Sequence, residues 1–269
     1  MPETKVHCKF EIDPNYDEEK DLSKNITDIR MFLEKELVCI DAIDDITMQA
    51  ICLFAMLDCL AQEQANYPAD SKTAFCQFVL KHQKQCDYME SVEPVTLFYH
   101  VEDLIEKAVM IPGFPPEKVV SLEGLGYLYG EKAETVLSGG KSKEILDYIE
   151  KTQGTAFAEK KAREHQLISL LYRMRSKAVH EMSGLGELSH DKGHNLPDVP
   201  YYRDVGRAYV LDGNWVYDDV VELVIPNSFL RRILVDCIDG YLADCKSNMR
   251  FPFSNNNMTR KHRLSWYDK

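Results

Sequence analysis

Two side chains in the segment "LYRMRSKAVHEMSG" (171–184) carry chemistry that their neighbours do not: Arg175 and His180. Arginine is a permanent cation whose planar fork meets phosphate oxygens two at a time. Histidine, with an ordinary pKa of about 6.5, takes up and releases protons near neutrality. Together they suit a reaction in which a proton moves while negative charge grows on a phosphate. Such a reaction needs no carboxylate pair, no metal and no organic cofactor. Ser176 follows the arginine and can orient the pair. Arg173 and Lys177 flank it as further cations.

The helix that must carry these residues poses a geometric problem. At 100° per residue, His180 sits roughly 140° around the axis from Arg175, so one ideal helix does not place them on one stripe. They converge if the helix end loosens before Gly184, or if two copies of the chain meet. In the second case each site takes Arg175 from one subunit and His180 from the other. The plain alternative is a surface arginine and a helix-terminal histidine, whose charged form the helix dipole favours.

The pattern of apolar residues predicts the surrounding elements. Leu167, Leu171, Met174, Ala178 and Met182 recur at spacings of four and three, so a long helix over 156–183 turns one face to a core. Gly184 and Gly186 end it. Residues 42–66 form the strongest helix of the chain, with Ile43, Ile46, Ile51, Phe54, Met56 and Leu60 as its apolar surface. Asp41, Asp44 and Asp45 suit its N-terminus. Asp70 or Ser71 caps a further helix through about Gln85, and another covers Pro94 to Ala108. Residues 111–130, rich in Gly and Pro, read as a connection. A short helix over 142–153 precedes the long one. Two β-rich runs flank Asp212-Gly213, a strong hairpin signal. A last helix runs from about Ser228 to Cys245. The fold class is therefore mainly α, a helical bundle with a small β-hairpin near the C-terminus. Its organisation is an acidic segment (1–22), a helical bundle (23–186), a loop, hairpin and terminal helix packed on that bundle (187–246), and a basic tail (247–269).

Charge narrows the function classes. The net charge is -12, which argues against nonspecific coating of nucleic acid. The charge is segregated, however. Residues 1–60 hold 14 acids and six bases, whereas 155–182 hold six bases and three acids. The stretch 246–269 holds six bases and one acid, with Phe251, Phe253, Trp266 and Tyr267 among them. Aromatics among cations can stack on bases or pack a tail onto its domain; packing or disorder is the expectation. The N-terminal sequence lacks the basic and then apolar pattern of a signal peptide, and no run of 18 apolar residues predicts a membrane span. Eight cysteines without a C-x-x-C pair then read as reduced thiols in a cytoplasm, with Cys52 and Cys59 expected as small buried hydrophobes.

Other candidates fail on pattern. "SGGKSK" (138–143) has Thr135 where a phosphate-binding loop needs glycine. His190 and His194 flank Gly193 in a polar loop and lack a clear third metal ligand.

The segment "LLYRMRSKAVHE" resembles the signature of the HEPN superfamily. That signature is an arginine, a polar residue, three more residues and a histidine, late in a long helix and after a hydrophobic stretch with Tyr. Here these are Arg175, Ser176, Lys177 to Val179 and His180, after Leu171-Tyr172. The resemblance covers about residues 160–184, and 200–269 fall outside it. It implies a four- to five-helix bundle that forms a homodimer, with the arginine and histidine of both copies in a shared cleft. It further implies a metal-independent endoribonuclease acting on RNA, of the kind found in phage defence and toxin systems, sometimes with a protein partner encoded nearby. On that reading Arg175 holds phosphate, His180 is the general base or acid, and Arg173 and Lys177 steer RNA. The alternative within the same superfamily is a noncatalytic helical dimer that binds RNA, nucleotide or protein. Met182 departs from the branch that places Tyr two residues after the histidine.

Overall fold

The computed structural model describes residues 18–65, 70–84, 87–106, 132, 136–137, 141–181, 188–189, 198–211 and 214–253. Among them the chain is mainly helical, with one small sheet. The helices are α1 (Glu18–Asp41), α2 (Ile46–Gln64), α3 (Ser71–His82), α4 (Pro94–Glu106), α5 (Lys141–Gln153), α6 (Thr155–Glu164), α7 (Leu167–Glu181) and α8 (Asn227–Ser247). The strands are β1 (Leu188–Ser189), β2 (Tyr201–Leu211) and β3 (Asn214–Val224).

Local signals set the helix starts. The Asp45 carboxylate accepts the Met48 N–H at 2.7 Å and opens α2. The Asp70 carboxylate accepts the N–H and the hydroxyl of Thr73, both at 2.9 Å, and opens α3. Each cap satisfies a donor that the first helical turn leaves without a partner. Asp41 acts differently, receiving the Arg231 guanidinium of α8 at 2.7 and 2.9 Å.

Helices α2, α3, α7 and α8 pack together around the main core, with α1 against α8 and α2. Leu53, Phe54, Leu57 and Leu60 of α2 are buried there, as are Phe75, Phe78 and Val79 of α3. Helix α8 adds Phe229, Leu230, Ile233, Leu234, Cys237, Ile238 and Tyr241. This last helix is thus a wall of the bundle core. Helix α2 is long and apolar enough to cross a membrane by length and composition, and its Leu53, Phe54, Leu57 and Leu60 side chains are buried in this core. Helices α4, α5 and α6 make a second layer, with β3 against α4. β2 and β3 pair antiparallel from Tyr201↔Val224 to Leu211↔Asn214, and β1 adds to β3 in parallel at Leu188↔Leu223. The predicted turn residues Asp212 and Gly213 lie outside the described residues.

One predicted element is corrected. The long helix over 156–183 is two helices, broken at His165 and Gln166. Here the chain pairs with residues 89–93 instead of with itself. Leu167 donates its N–H to the Ser91 carbonyl at 3.1 Å, Ile168 to Met89 at 2.9 Å, and Glu93 to the His165 carbonyl at 2.8 Å. Amides used in this way cannot continue an i→i−4 ladder. The Ser169 hydroxyl also reaches back to the Arg163 carbonyl at 2.7 Å. Apolar spacing alone did not reveal this long-range pairing.

Cys59 is corrected too: it is exposed, although it lies within the apolar helix, and Cys52 is half-buried. The six described cysteines are free thiols. In the tail, Phe253 packs its ring on Tyr241 and donates its N–H to the Tyr241 hydroxyl at 3.0 Å. Trp266 and Tyr267 lie outside the described residues, as do the loop histidines His190 and His194 and the 138–140 segment.

Candidate functional site

Helix α7 sits in the bundle by its apolar arc. Leu167, Leu170, Leu171, Met174 and Ala178 are all buried, which the spacing predicted for four of them. Arg175 lies on this inward arc. Its guanidinium donates from Nη2 to Asp58 Oδ2 on α2 and lies 5.7 Å over the Tyr172 ring. That ring packs in turn on Phe75 at 5.7 Å. The pair is largely removed from water, with side-chain exposures of 9% for Arg175 and 19% for Asp58. Asp58 Oδ1 is buried and accepts no hydrogen bond. A cation so buried requires a carboxylate partner. The sequence held the signal for this partner, an aspartate within an otherwise apolar helical run, but offered no way to align it with α7.

The other predicted site residues take the opposite side. Arg175 is about 200° around α7 from Arg173. Ser176, Lys177 and His180 all fall within roughly 60° of Arg173, and His180 is seven residues on, only about 20° short of two full turns. Arg173 is exposed, and Ser176 and Lys177 are half-buried. His180 is placed here by helix register alone, since its side chain lies outside the described residues. The outward face of α7 therefore carries four of the five residues predicted for the site, and Arg175 is not on it.

At its N-terminal end this face opens on a cleft of about 540 Å³. Arg173 lines it from α7 and Lys72 from the start of α3. Helix α4 contributes Thr96, Tyr99 and His100, and the α6–α7 break contributes Glu164 and His165. Arg175 does not line the cleft.

A buried glutamate holds these walls in register. Glu93, with no exposed surface, precedes Pro94 and caps α4. Its carboxylate accepts the Val95 N–H at 2.8 Å, the Thr96 N–H at 2.7 Å and the Tyr202 hydroxyl at 2.8 Å. Its own N–H bonds the His165 carbonyl, so α4, β2 and the α6–α7 break meet at one residue. Burial raises the Glu93 pKa against the opposing pull of these hydrogen bonds.

Within the cleft the two imidazoles lie with ring centroids 5.4 Å apart. His165 Nδ1 is 3.0 Å from the Thr96 hydroxyl, which fixes the ring. Burial first, and then the Arg173, His100 and Lys161 charges, push the His165 pKa down to about 3. It is neutral at any ordinary pH and serves as a hydrogen-bonding group. Glu164 is engaged by the Lys161 ammonium at 2.7 Å, and its pKa is lowered by that partner against the desolvation that opposes it. The Tyr99 hydroxyl accepts the Val221 N–H at 3.0 Å, tying the cleft to β3. Sequence reasoning missed Lys72, His100 and His165, because elements far apart in the chain meet to line this cleft.

Comparison of the chain with protein-family models, with curated proteins and with solved structures finds no match.

Proposed function

We propose that this chain is a metal-independent endoribonuclease of HEPN type, with RNA lying along the outward face of α7. The observation that supports it is that face: Arg173, Ser176, Lys177 and His180 occupy one sector over two turns. His180 takes the proton of the RNA 2′-hydroxyl and returns one to the leaving oxygen. Arg173 and Lys177 hold the phosphates. The family resemblance gives the phosphate to Arg175. Its pairing with Asp58 makes it instead the residue that fixes α7 against α2.

A second reading is favoured by that same pair and by the net charge of -12. The guanidinium is already neutralised by Asp58, which suits a noncatalytic HEPN-like dimer that binds RNA, nucleotide or a protein.

The test is cleavage of labelled RNA in EDTA. The nuclease reading expects products with 2′,3′-cyclic phosphate ends and loss of cleavage in His180→Ala with the fold intact. Absence of cleavage, or cleavage by His180→Ala equal to wild type, hands the protein to the second reading. Mixing Arg175→Ala with His180→Ala adds a further arm. Recovery to about one quarter of wild-type activity, as random reassortment of a two-fold dimer gives, would place Arg175 of one copy beside His180 of the other and return it to catalysis.

A further inference from the structure

Arg173 differs from the other arginines whose side chains are described. Arg30, Arg163, Arg175, Arg203, Arg231 and Arg250 are each within ion-pair distance of a carboxylate. Arg232 donates to the Asp198 carbonyl. Among the described residues Arg173 alone of these arginines has neither an ion pair nor a hydrogen bond. In a chain with 44 acidic residues against 32 basic ones, a free guanidinium is not for want of carboxylates. It lines a cleft whose second fixed cation, Lys72, also has no ion pair among the described residues.

We propose that this cleft binds a phosphate ester of about mononucleotide size, with its phosphate between Arg173 and Lys72. The guanidinium fork and the ammonium supply charge-assisted donors of the two kinds that hold phosphate oxygens. The one carboxylate of the lining, Glu164, is occupied by Lys161, which limits its repulsion of an anion. The remaining walls are polar and fixed. Thr96 locks the His165 ring, and the β3 amide anchors the Tyr99 hydroxyl. The cleft volume of about 540 Å³ lies within the range of small-ligand sites. His100 and His165 add imidazole rings to the wall that the non-phosphate part of the ligand meets. This inference does not require that the chain cleave RNA.

Calorimetric titration of the full chain with adenosine 5′-monophosphate tests it. Saturable binding is expected, with adenosine binding much more weakly and inorganic phosphate competing. Arg173→Gln and Lys72→Gln, both at exposed positions, are each expected to weaken binding about tenfold or more. Arg163→Gln, an exposed change on α6 away from the cleft, is expected to leave it unchanged. No binding of the monophosphate, or binding that ignores both cleft variants, overturns the proposal. Short 5′-phosphorylated RNA that binds through Arg173 and Lys72 while the monophosphate does not would also overturn it, making the cleft an RNA-end subsite. Nuclease assays on the same preparations keep the readings apart. Monophosphate binding without cleavage supports the cleft and sinks the nuclease, and cleavage without monophosphate binding does the reverse.

Discussion

Removing either partner of the Asp58–Arg175 pair takes the opposite charge away from the other in a site that is nearly dry. Arg175 retains 9% of its side-chain exposure and Asp58 retains 19%, so solvent screening is weak on one side and modest on the other. Breaking a buried pair of this kind costs about 3–5 kcal/mol. Asp58 is the more exposed partner, so the lower end, about 3 kcal/mol, is expected for Arg175→Ala, which leaves it behind and also loses the contact with the Tyr172 ring. Asp58→Ala leaves the drier Arg175 and is expected to cost at least as much. The double variant should be less damaged than the sum by about 1–3 kcal/mol, because neither charge is then left alone. Urea unfolding followed by circular dichroism supplies all four corners of the cycle, with midpoints compared at a shared slope. In thermal unfolding each single variant should lose roughly 6–12 °C, at about 2–4 °C per kcal/mol for a chain of this size. Additive single effects would show that the pair carries no coupling. A stability-neutral Arg175→Ala would refute its structural role and restore the case for a functional one. The measurement also bears on any nuclease assay, since an inactive Arg175→Ala means little above its own melting point.

Three further outcomes follow from the packing and the buried imidazole. Leu171→Ala removes a side chain only 1% exposed and should cost ~2–5 kcal/mol in urea unfolding. Gly240→Ala on α8 should destabilise, by about 1–3 kcal/mol of overpacking less up to about 1 kcal/mol of helix propensity. The reason is that a methyl there meets His82 Nδ1 at 2.5 Å and its Cβ at 2.9 Å; an unchanged or raised melting temperature would contradict this. His165, neutral in the fold with its pKa down to about 3, gives a stability contribution that is present above its unfolded pKa of about 6.5. That contribution is lost as pH falls from there towards 3, at up to about 1.4 kcal/mol per pH unit. The difference in unfolding free energy between wild type and His165→Gln, measured from pH 7 to pH 4.5, should therefore shrink. A constant difference would mean that His165 does not titrate on unfolding.

Much of the fold was legible in the sequence, for local physical reasons. Asp45 and Asp70 announce helix starts because a carboxylate satisfies a backbone donor three residues on. Leu171 and Met174 announce a buried face because the helical period fixes their direction. The hairpin follows from its turn residues and the β-rich runs beside them. What stayed hidden depends on contacts far apart in the chain. Nothing near Gln166 signals a break, since the amides that end α6 and begin α7 bond to residues 89–93. Asp58 gives no sign that it will meet an arginine 117 residues away. The cleft histidines were invisible for the same reason: His100 belongs to one helix and His165 to a break that periodicity does not show.

The break also decides where His165 goes. An uninterrupted helix over 156–183 would run its register unchanged through residue 165, and His165 would be one more position on its cylinder. Ending α6 at Glu164 lets His165 swing onto Thr96, while α7 starts afresh against residues 89–91. Within α7 the helical period turns Arg175 inward to Asp58 and Arg173 outward to the cleft. Two arginines only two residues apart thereby receive opposite roles. One is neutralised and holds the helix in place. The other has no ion pair among the described residues and stands beside a second cation and a neutral imidazole. A single substitution tells them apart: Arg173→Gln should weaken monophosphate binding about tenfold or more without loss of stability, and Arg175→Gln should lower stability by about 3 kcal/mol while monophosphate binding persists below its melting point. If both variants changed the same property, this division of labour along α7 would be wrong.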